Sequence, residues 1–181
     1  MKRTIVLAFG LLLGLSSSTA HADKGLKRVG VQGGFAGLAS EGTFAGYGGG
    51  LTLAYGLSDA WTLRIDATAS SNQATDKGGR SLVLGQSIGA QYALDIIQFV
   101  PYFGVYAGIY ELRGGGLKSM QLKPAISIGV GLDWIVSRSF TVGADLRIHA
   151  LPADFVGSPT DPTPFYQTTM LKAEYTWGWF D

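Results

Sequence analysis

The sequence predicts an all-β protein, an eight-stranded antiparallel up-and-down transmembrane β-barrel. Three observations support this fold class. Apolar and polar residues alternate with a period of two over segments of about ten residues, the length that a tilted membrane strand needs. The connections between the segments alternate between short and long, as they do in outer-membrane barrels. Tryptophans occupy one end of their segments, on the apolar face, where a membrane interface favours them.

Residues 1–22 are predicted to be a cleaved signal peptide that lies outside the fold. A basic start precedes the apolar run Ile5–Leu15 and the small-residue site Ala20-His21-Ala22, which is the pattern of a secretory signal. The alternative, a retained membrane anchor, is disfavoured because a transmembrane helix needs ~20 apolar residues. We therefore expect export of the chain and a mature barrel domain of residues 23–181.

Eight alternating segments are predicted as strands. Trp61–Ser70 shows the pattern clearly, because Leu63 and Ile65 lie on one face and Arg64 and Asp66 on the other. The segments from Leu122 and from Phe140 repeat it. In order, the predicted strands are Lys27–Leu38, Phe44–Leu57, Trp61–Ser70, Ser81–Leu94, Val100–Leu112, Met120–Ile135, Phe140–Ala150 and Phe165–Phe180.

The connections predict how the strands are oriented. Those expected to be tight turns are Ser58-Asp59, Asp95–Phe99 and Val136–Ser139. Those expected to be longer loops are Ser71–Arg80, Arg113–Ser119 and Leu151–Pro164. Short turns on the periplasmic side and longer extracellular loops are typical of outer-membrane barrels. With an even number of strands, both termini lie on the periplasmic side.

Four tryptophans support this orientation. Each lies at the predicted periplasmic end of its strand and shares the parity of the apolar face. Barrels carry aromatic girdles at the membrane interfaces. The predicted periplasmic girdle consists of Trp61, Trp134, Trp177 and Trp179.

In a membrane barrel the polar face of each strand fills the lumen. The charges on that face are Arg64, Asp66, Lys123, Asp133, Asp145, Arg147, Lys172 and Glu174, with Gln32 beside them. Buried charges require partners, so we interpret the set as a plug of ion pairs, with contacts expected between strands seven and eight. The alternative is a wetted ion pathway. Inward glycines alternating with Tyr102, Tyr106 and Tyr110 are expected to fill a narrow lumen.

Three stretches resemble a known family. Tyr55-Gly-Leu-Ser-Asp-Ala-Trp-Thr-Leu and Asp95-Ile-Ile-Gln-Phe-Val-Pro-Tyr-Phe-Gly resemble strand–turn–strand units of small outer-membrane barrels. The stretch Ala173–Phe180 resembles the aromatic C-terminal strand that the barrel-assembly machinery recognises, although Asp181 follows the aromatic. The chain is similar to the OmpA-like and OmpX-like eight-stranded group. The resemblance implies a location in the outer membrane of a Gram-negative bacterium, and it implies an assembly signal of Tyr175, Trp177, Trp179 and Phe180.

Enzymatic activity is not expected. The mature chain has one histidine, His149, on the inner face near the predicted outer rim. Lipid A deacylases, which the chain would then resemble, carry a serine two residues later, where this chain has Leu151. Ser70 and Ser158 are the alternative nucleophiles considered. The sequence gives no metal-ligand spacing and contains no cysteine, so neither a metal nor another cofactor is expected.

The function that we predict is a structural or surface-interaction role in the outer membrane. The alternatives are a small-solute pore, a carrier of hydrophobic molecules and, less favoured, a lipid A-modifying enzyme. The expected partners are outer-membrane lipid and lipopolysaccharide, the barrel-assembly machinery and an extracellular ligand of the loops. The chain is expected to be a monomer. A net charge of +1 gives no electrostatic basis for binding nucleic acid.

Overall fold

A computed structural model of the chain describes residues 24–39, 43–74, 79–94, 98–114, 120–151 and 165–178. It shows a closed barrel of eight strands, each antiparallel to its neighbours in sequence, with the first strand paired to the last. The predicted fold class is therefore confirmed. The strands are β1 (Lys27–Ala39), β2 (Thr43–Gly56), β3 (Trp61–Ala74), β4 (Arg80–Ala93), β5 (Phe99–Gly114), β6 (Gln121–Ser137), β7 (Phe140–Ala150) and β8 (Phe165–Trp177).

The strand bounds differ from the prediction mainly at one end of the barrel. β3 continues to Ala74, four residues beyond Ser70, because the polar residues after Ser70 still pair with β2. Two of the predicted loops are correspondingly shorter. We call this end the loop end, and we call the opposite end, where β2 is followed by β3, β4 by β5 and β6 by β7, the turn end. The predicted signal peptide, Trp179 and Phe180 lie outside the described residues.

The register of the ladders determines the tilt of the strands. Hydrogen-bonded partners followed once around the barrel from Lys27 return to β1 at Gly37, ten residues further along. Eight strands with this stagger must tilt against the barrel axis, typically by 35–45°. An eight-stranded barrel has an interior just wide enough for side chains. The path passes through Tyr55, Leu63, Ala90, Val105, Ile128, Ile148 and Gln167.

The outward face is apolar and the inward face is polar. Ile128 is 60% exposed and Leu171 is 71% exposed, whereas Arg64 and Glu174 inside the barrel are each 1% exposed. This is the arrangement of a barrel surrounded by lipid. A soluble lipocalin-type barrel needs the opposite arrangement. In the part of the chain that is described, no helix has the length and apolar character to span a membrane.

Aromatic side chains ring the turn end on the outside. Trp61, Trp134 and Trp177 all point outward and are about half exposed. They contact further aromatic rings, with centroid distances of 5.1 Å from Trp61 to Tyr92 and 6.1 Å from Trp134 to Phe99. The structure thus places three of the four tryptophans assigned to the girdle at one level. The fourth, Trp179, is not described.

Candidate functional site

The lumen is the one region where the described chain gathers buried polar chemistry. Three groups of side chains fill it, and we name them from the turn end to the loop end. The charged layer consists of Arg64, Asp66, Asp133, Asp145, Arg147, Lys172 and Glu174. The histidine layer consists of Ser127, His149 and Thr168. The apolar cap consists of Ala36, Leu38, Val83, Tyr110, Leu112, Ala125, Leu151 and Tyr166.

Arg64 links two carboxylates in the charged layer. Its Nε donates to Asp66 Oδ1 at 3.0 Å, and its Nη1 donates to Glu174 Oε1 at 2.8 Å. Arg64 and Asp66 are two residues apart on β3 and therefore share the inward face. Glu174 lies on β8, so this second contact crosses the lumen.

Arg147 makes a second crosslink. Its Nη1 lies 2.7 Å from Asp66 Oδ2, and its Nε lies 2.7 Å from Asp145 Oδ1 on its own strand β7. The guanidinium also lies over the ring of Tyr106, 4.0 Å from the centroid, where the π face attracts a cation. Asp145 receives one further hydrogen bond, from the hydroxyl of Tyr102 at 2.7 Å.

Lys172 completes the chain of contacts. Its Nζ lies 2.8 Å from Asp133 Oδ1 on β6 and 3.6 Å from Glu174 Oε1 on its own strand. It also lies 4.4 Å from the centroid of Tyr102. The seven charged residues thus form one continuous series, Asp145–Arg147–Asp66–Arg64–Glu174–Lys172–Asp133.

The pairing corrects two sequence-based expectations. We expected ion pairs between β7 and β8. Instead, Arg147 of β7 pairs across the lumen with Asp66 of β3, and Lys172 of β8 pairs with Asp133 of β6. Lys123 is buried on the inward face, but it lies ten residues from Asp133 along β6, near the loop end and opposite Tyr110. It therefore lies apart from the charged layer.

Arg28 is a residue that the sequence interpretation missed. It is half-buried near the turn end of β1, and it interacts electrostatically with Glu174. With Arg28 included, four cations face the four carboxylates of the charged layer. Its place directly after another basic residue, close to the predicted cleavage site, makes it resemble a solvated charge. One signal in the sequence could have indicated its orientation. Arg28 lies four residues before Gln32 on the same strand, and residues an even number apart on a strand share a face.

Inward glycines make room for three tyrosines of β5. A Cβ atom added to Gly131 would lie 2.2 Å from the Tyr102 ring, one on Gly89 would lie 2.3 Å from the Tyr106 ring, and one on Gly85 would lie 2.4 Å from the Tyr110 ring. Such distances are far inside van der Waals contact. The glycines on β4 and β6 are therefore required for these rings to cross the lumen, which matches the expected mixture of small and large inner residues.

His149 lies just above the charged layer, surrounded by hydroxyl groups. Its Nδ1 is 2.7 Å from Ser127 Oγ and 2.9 Å from the Tyr110 hydroxyl, and its Nε2 is 3.3 Å from Thr168 Oγ1. Hydroxyls that donate to Nδ1 favour the tautomer with the proton on Nε2. The serine that contacts His149 is Ser127, which the sequence analysis did not identify.

Of the two serines predicted as alternative nucleophiles, the structure describes Ser70 alone, and Ser70 is hydrogen-bonded to Tyr166 and not to His149. Ser70 accepts a hydrogen bond from the Tyr166 hydroxyl at 2.8 Å, and Ser158 lies outside the described residues. Among the described residues, no cluster of three or more histidine or carboxylate side chains could hold a metal ion.

A small cavity lies between the charged layer and the histidine layer. This cavity of about 10 Å³ lies beside Arg147 and His149, with Gln32, Ser87 and Thr168 also in its wall. This volume is about that of a single water molecule. Ser127 and His149 are almost fully buried, and Leu151 and Tyr166 of the apolar cap are at most 1% exposed. The Ser127–His149 pair is therefore almost fully buried, beside a cavity of about the size of one water molecule.

Comparison with solved structures gives the same architecture. The barrel is similar to Neisserial surface protein A, with 18% identity, a TM-score of 0.68 and coverage of 84% of this chain and 99% of that one. It is also similar to Ail of Yersinia pestis bound to the heparin analogue sucrose octasulfate (15% identity, TM-score 0.60, coverage 85% and 99%). A third is OprG, an outer membrane protein of Pseudomonas aeruginosa (12% identity, TM-score 0.59, coverage 88% and 99%). No family model and no curated protein matches the chain.

Proposed function

We propose that the chain is an outer-membrane barrel of a Gram-negative bacterium whose lumen is sealed and whose role is structural or surface interaction. The observation that carries this proposal is the filled lumen, in which a neutralised charged layer lies beneath an apolar cap. A continuous path for solutes would need space that the packed side chains occupy. The similarity to outer-membrane barrels of known structure supports the location.

The remaining parts of the proposal concern biogenesis and orientation. A signal peptide of residues 1–22 is cleaved after Ala22, and the barrel-assembly machinery inserts the mature chain using the aromatic residues of the last strand. The turn end faces the periplasm and the loop end faces outward. Lipopolysaccharide surrounds the loop end. Two arginines are exposed there, Arg80 and Arg113, of which Arg113 is paired with Glu111, and arginine is well suited to binding phosphate groups.

The surface role is exerted by the extracellular loops. A sealed lumen leaves the loops and the outer rim as the parts that can meet an extracellular ligand. That the structurally similar Ail binds a sulfated heparin analogue makes a polyanionic saccharide a reasonable first probe. Binding of such a saccharide to vesicles that contain the folded chain would test this role, with vesicles that lack protein as the control.

A pore is the alternative function, and conductance decides between the two. Mature residues 23–181 are refolded into a planar bilayer, and folding is verified by the mobility difference between unheated and heated gel samples. We expect a folded barrel without discrete current steps, while a large porin in the same bilayer verifies detection. Reproducible, salt-dependent steps from the folded chain would refute the sealed lumen and establish a pore.

We propose a structural role, and not catalysis, for the Ser127–His149 pair. Its burial beneath the apolar cap supports this assignment. The folded chain and a His149→Asn variant are incubated in vesicles that contain lipid A, and the lipid is then analysed by mass spectrometry. We expect unchanged lipid A with both proteins. A loss of acyl chains with the original chain alone would show that His149 is catalytic.

A further inference from the structure

One amide inside the lumen has no partner in the described part of the chain. Gln32 lies on the inward face of β1 and is 7% exposed, and no described residue forms a hydrogen bond with its side chain. Gln91, an inward glutamine of β4, is also 7% exposed, but its Nε2 donates to the Tyr106 hydroxyl at 2.8 Å. Buried polar side chains are nearly always hydrogen-bonded, either to protein or to ordered water. The Gln32 amide therefore requires a partner that the described side chains do not supply.

Gln32 lies in the wall of the small cavity between the charged layer and the histidine layer. The cavity of about 10 Å³ is roughly as large as one water molecule requires, and it is too small for an organic ligand. A buried water molecule typically forms about three hydrogen bonds, to polar groups that otherwise have no partner. The position of the cavity thus matches the position of the unpartnered amide.

Two further side chains in the wall of the cavity have a donor to spare. Thr168 Oγ1 lies 3.3 Å from His149 Nε2. With the proton of His149 on Nε2, the threonine oxygen accepts this hydrogen bond, and its own O–H remains available to donate. Nη2 of Arg147 carries two N–H groups, of which one is directed at Asp145 Oδ2 at 3.3 Å. The wall therefore offers donors from Thr168 and Arg147 in addition to the amide of Gln32.

We propose that this cavity is a binding site for one structural water molecule, held by Gln32, Thr168 and Arg147. The water donates to the Gln32 side-chain oxygen and accepts from the Thr168 hydroxyl and the Arg147 guanidinium. It thereby links the charged layer to the histidine layer. It also gives the middle of β1 its polar link to the lumen, because the inward residues on either side of Gln32 are Gly30 and Gly34, which have no side chain.

A monatomic anion is the alternative ligand for a site with these donors. The charge of the surrounding layer disfavours it. With Arg28 included, the four cations of the charged layer already face four carboxylates, so an anion would leave a net charge buried in the lumen, which is costly. A neutral ligand with both donor and acceptor capacity fits the site better.

The site rests on the proposed function in one respect, because a single water molecule stays bound only in a sealed lumen. The two proposals can nevertheless fail separately. Current steps in the conductance experiment would refute the seal. A folded, silent barrel with an empty cavity would refute the water site alone.

Diffraction from crystals of the refolded barrel, residues 23–181, tests the proposal at a resolution that shows ordered waters. The original chain is compared with two variants, Gln32→Leu and Gln91→Leu. Both replace an inward amide with an apolar side chain of similar size. Gln91→Leu is the matched control, because it removes a direct hydrogen bond to Tyr106 and leaves the wall of the cavity unchanged. Crystals grown in bromide, examined by anomalous scattering, distinguish a halide from water.

We expect one density peak within about 3.2 Å of the Gln32 amide in the original chain and in Gln91→Leu, and none in Gln32→Leu. An empty cavity in the original chain, a peak that persists in Gln32→Leu, or an anomalous bromide signal at the site would overturn the proposal. Should Gln32→Leu fail to fold, the density in the original chain decides. Should no crystals form, oxygen-17 relaxation dispersion in micelles counts long-lived waters, and equal counts for the two variants would refute the site.

Discussion

Replacing Arg147 with alanine removes the cation that joins two carboxylates in the charged layer. In the native barrel, Asp66 and Asp145 each have an oxygen 2.7 Å from the Arg147 guanidinium. After the substitution, Asp66 retains Arg64 at 3.0 Å. Asp145 retains only the neutral hydroxyl of Tyr102. The variant therefore leaves one buried carboxylate without a cation.

The expected loss of stability follows from that orphaned charge. Breaking a buried ion pair by removing one partner costs about 3–5 kcal/mol. The contact of the guanidinium with the Tyr106 ring, 4.0 Å from its centroid, contributes a further ~0.5–2 kcal/mol. We expect the free energy of unfolding to fall by at least about 3 kcal/mol, the lower end of the range for one buried carboxylate that has lost its cation.

Equilibrium unfolding by urea in lipid vesicles measures this loss. Arg138→Ala, in the exposed turn after β6, is the matched control, and we expect it to change stability by less than ~0.5 kcal/mol. A double variant, Arg147→Met with Asp145→Asn, removes both charges and should recover most of the stability, because a neutral replacement leaves no unpaired ion. Equal urea midpoints for Arg147→Ala and Arg138→Ala would refute the reasoning.

Two further substitutions test the packing of the lumen and the lipid-facing surface. Gly131→Ala would place a Cβ 2.2 Å from Tyr102 and should cost about 1–3 kcal/mol. Gly33→Ala meets no atom closer than 3.7 Å and should change little, so equal urea midpoints would contradict the packing argument. Ile128→Arg places a charge near mid-depth in the hydrocarbon and should cost ~2–4 kcal/mol, with Ile128→Leu as the control. Unchanged stability in the same assay would show that this face does not contact lipid.

The alternation of residues was sufficient to predict the strands and their faces. Every mid-strand charge assigned to the lumen from the sequence is buried in the structure, because a period of two fixes which residues share a face. Strand ends were harder to predict where the barrel continues beyond its apolar band. The residues from Ser71 to Ala74 are mostly polar on both faces, so only their pairing with β2 reveals that they belong to β3.

The partners of the charges could not be predicted from alternation alone. Which carboxylate Arg64 meets depends on the ten-residue stagger of the closed ladder, and that stagger sets which residues face each other across the lumen. Neighbouring strands were the natural first expectation, but the narrow interior lets a long arginine side chain reach well past them. The electrostatic interaction of Arg28 with Glu174 was missed for the same reason, because it joins the first strand to the last and forms only when the ladder closes.

The contact between Arg64 and Glu174 joins residues 110 positions apart in the chain. Until the last strand arrives beside the first, Arg64 lacks this carboxylate, and Asp133 lacks Lys172. An incomplete sheet would thus present unpaired charges as well as two open edges to the membrane. Both penalties disappear in the same event, when β1 and β8 pair. Insertion of the barrel should therefore be strongly cooperative, with few stable intermediates between the unfolded and the closed chain.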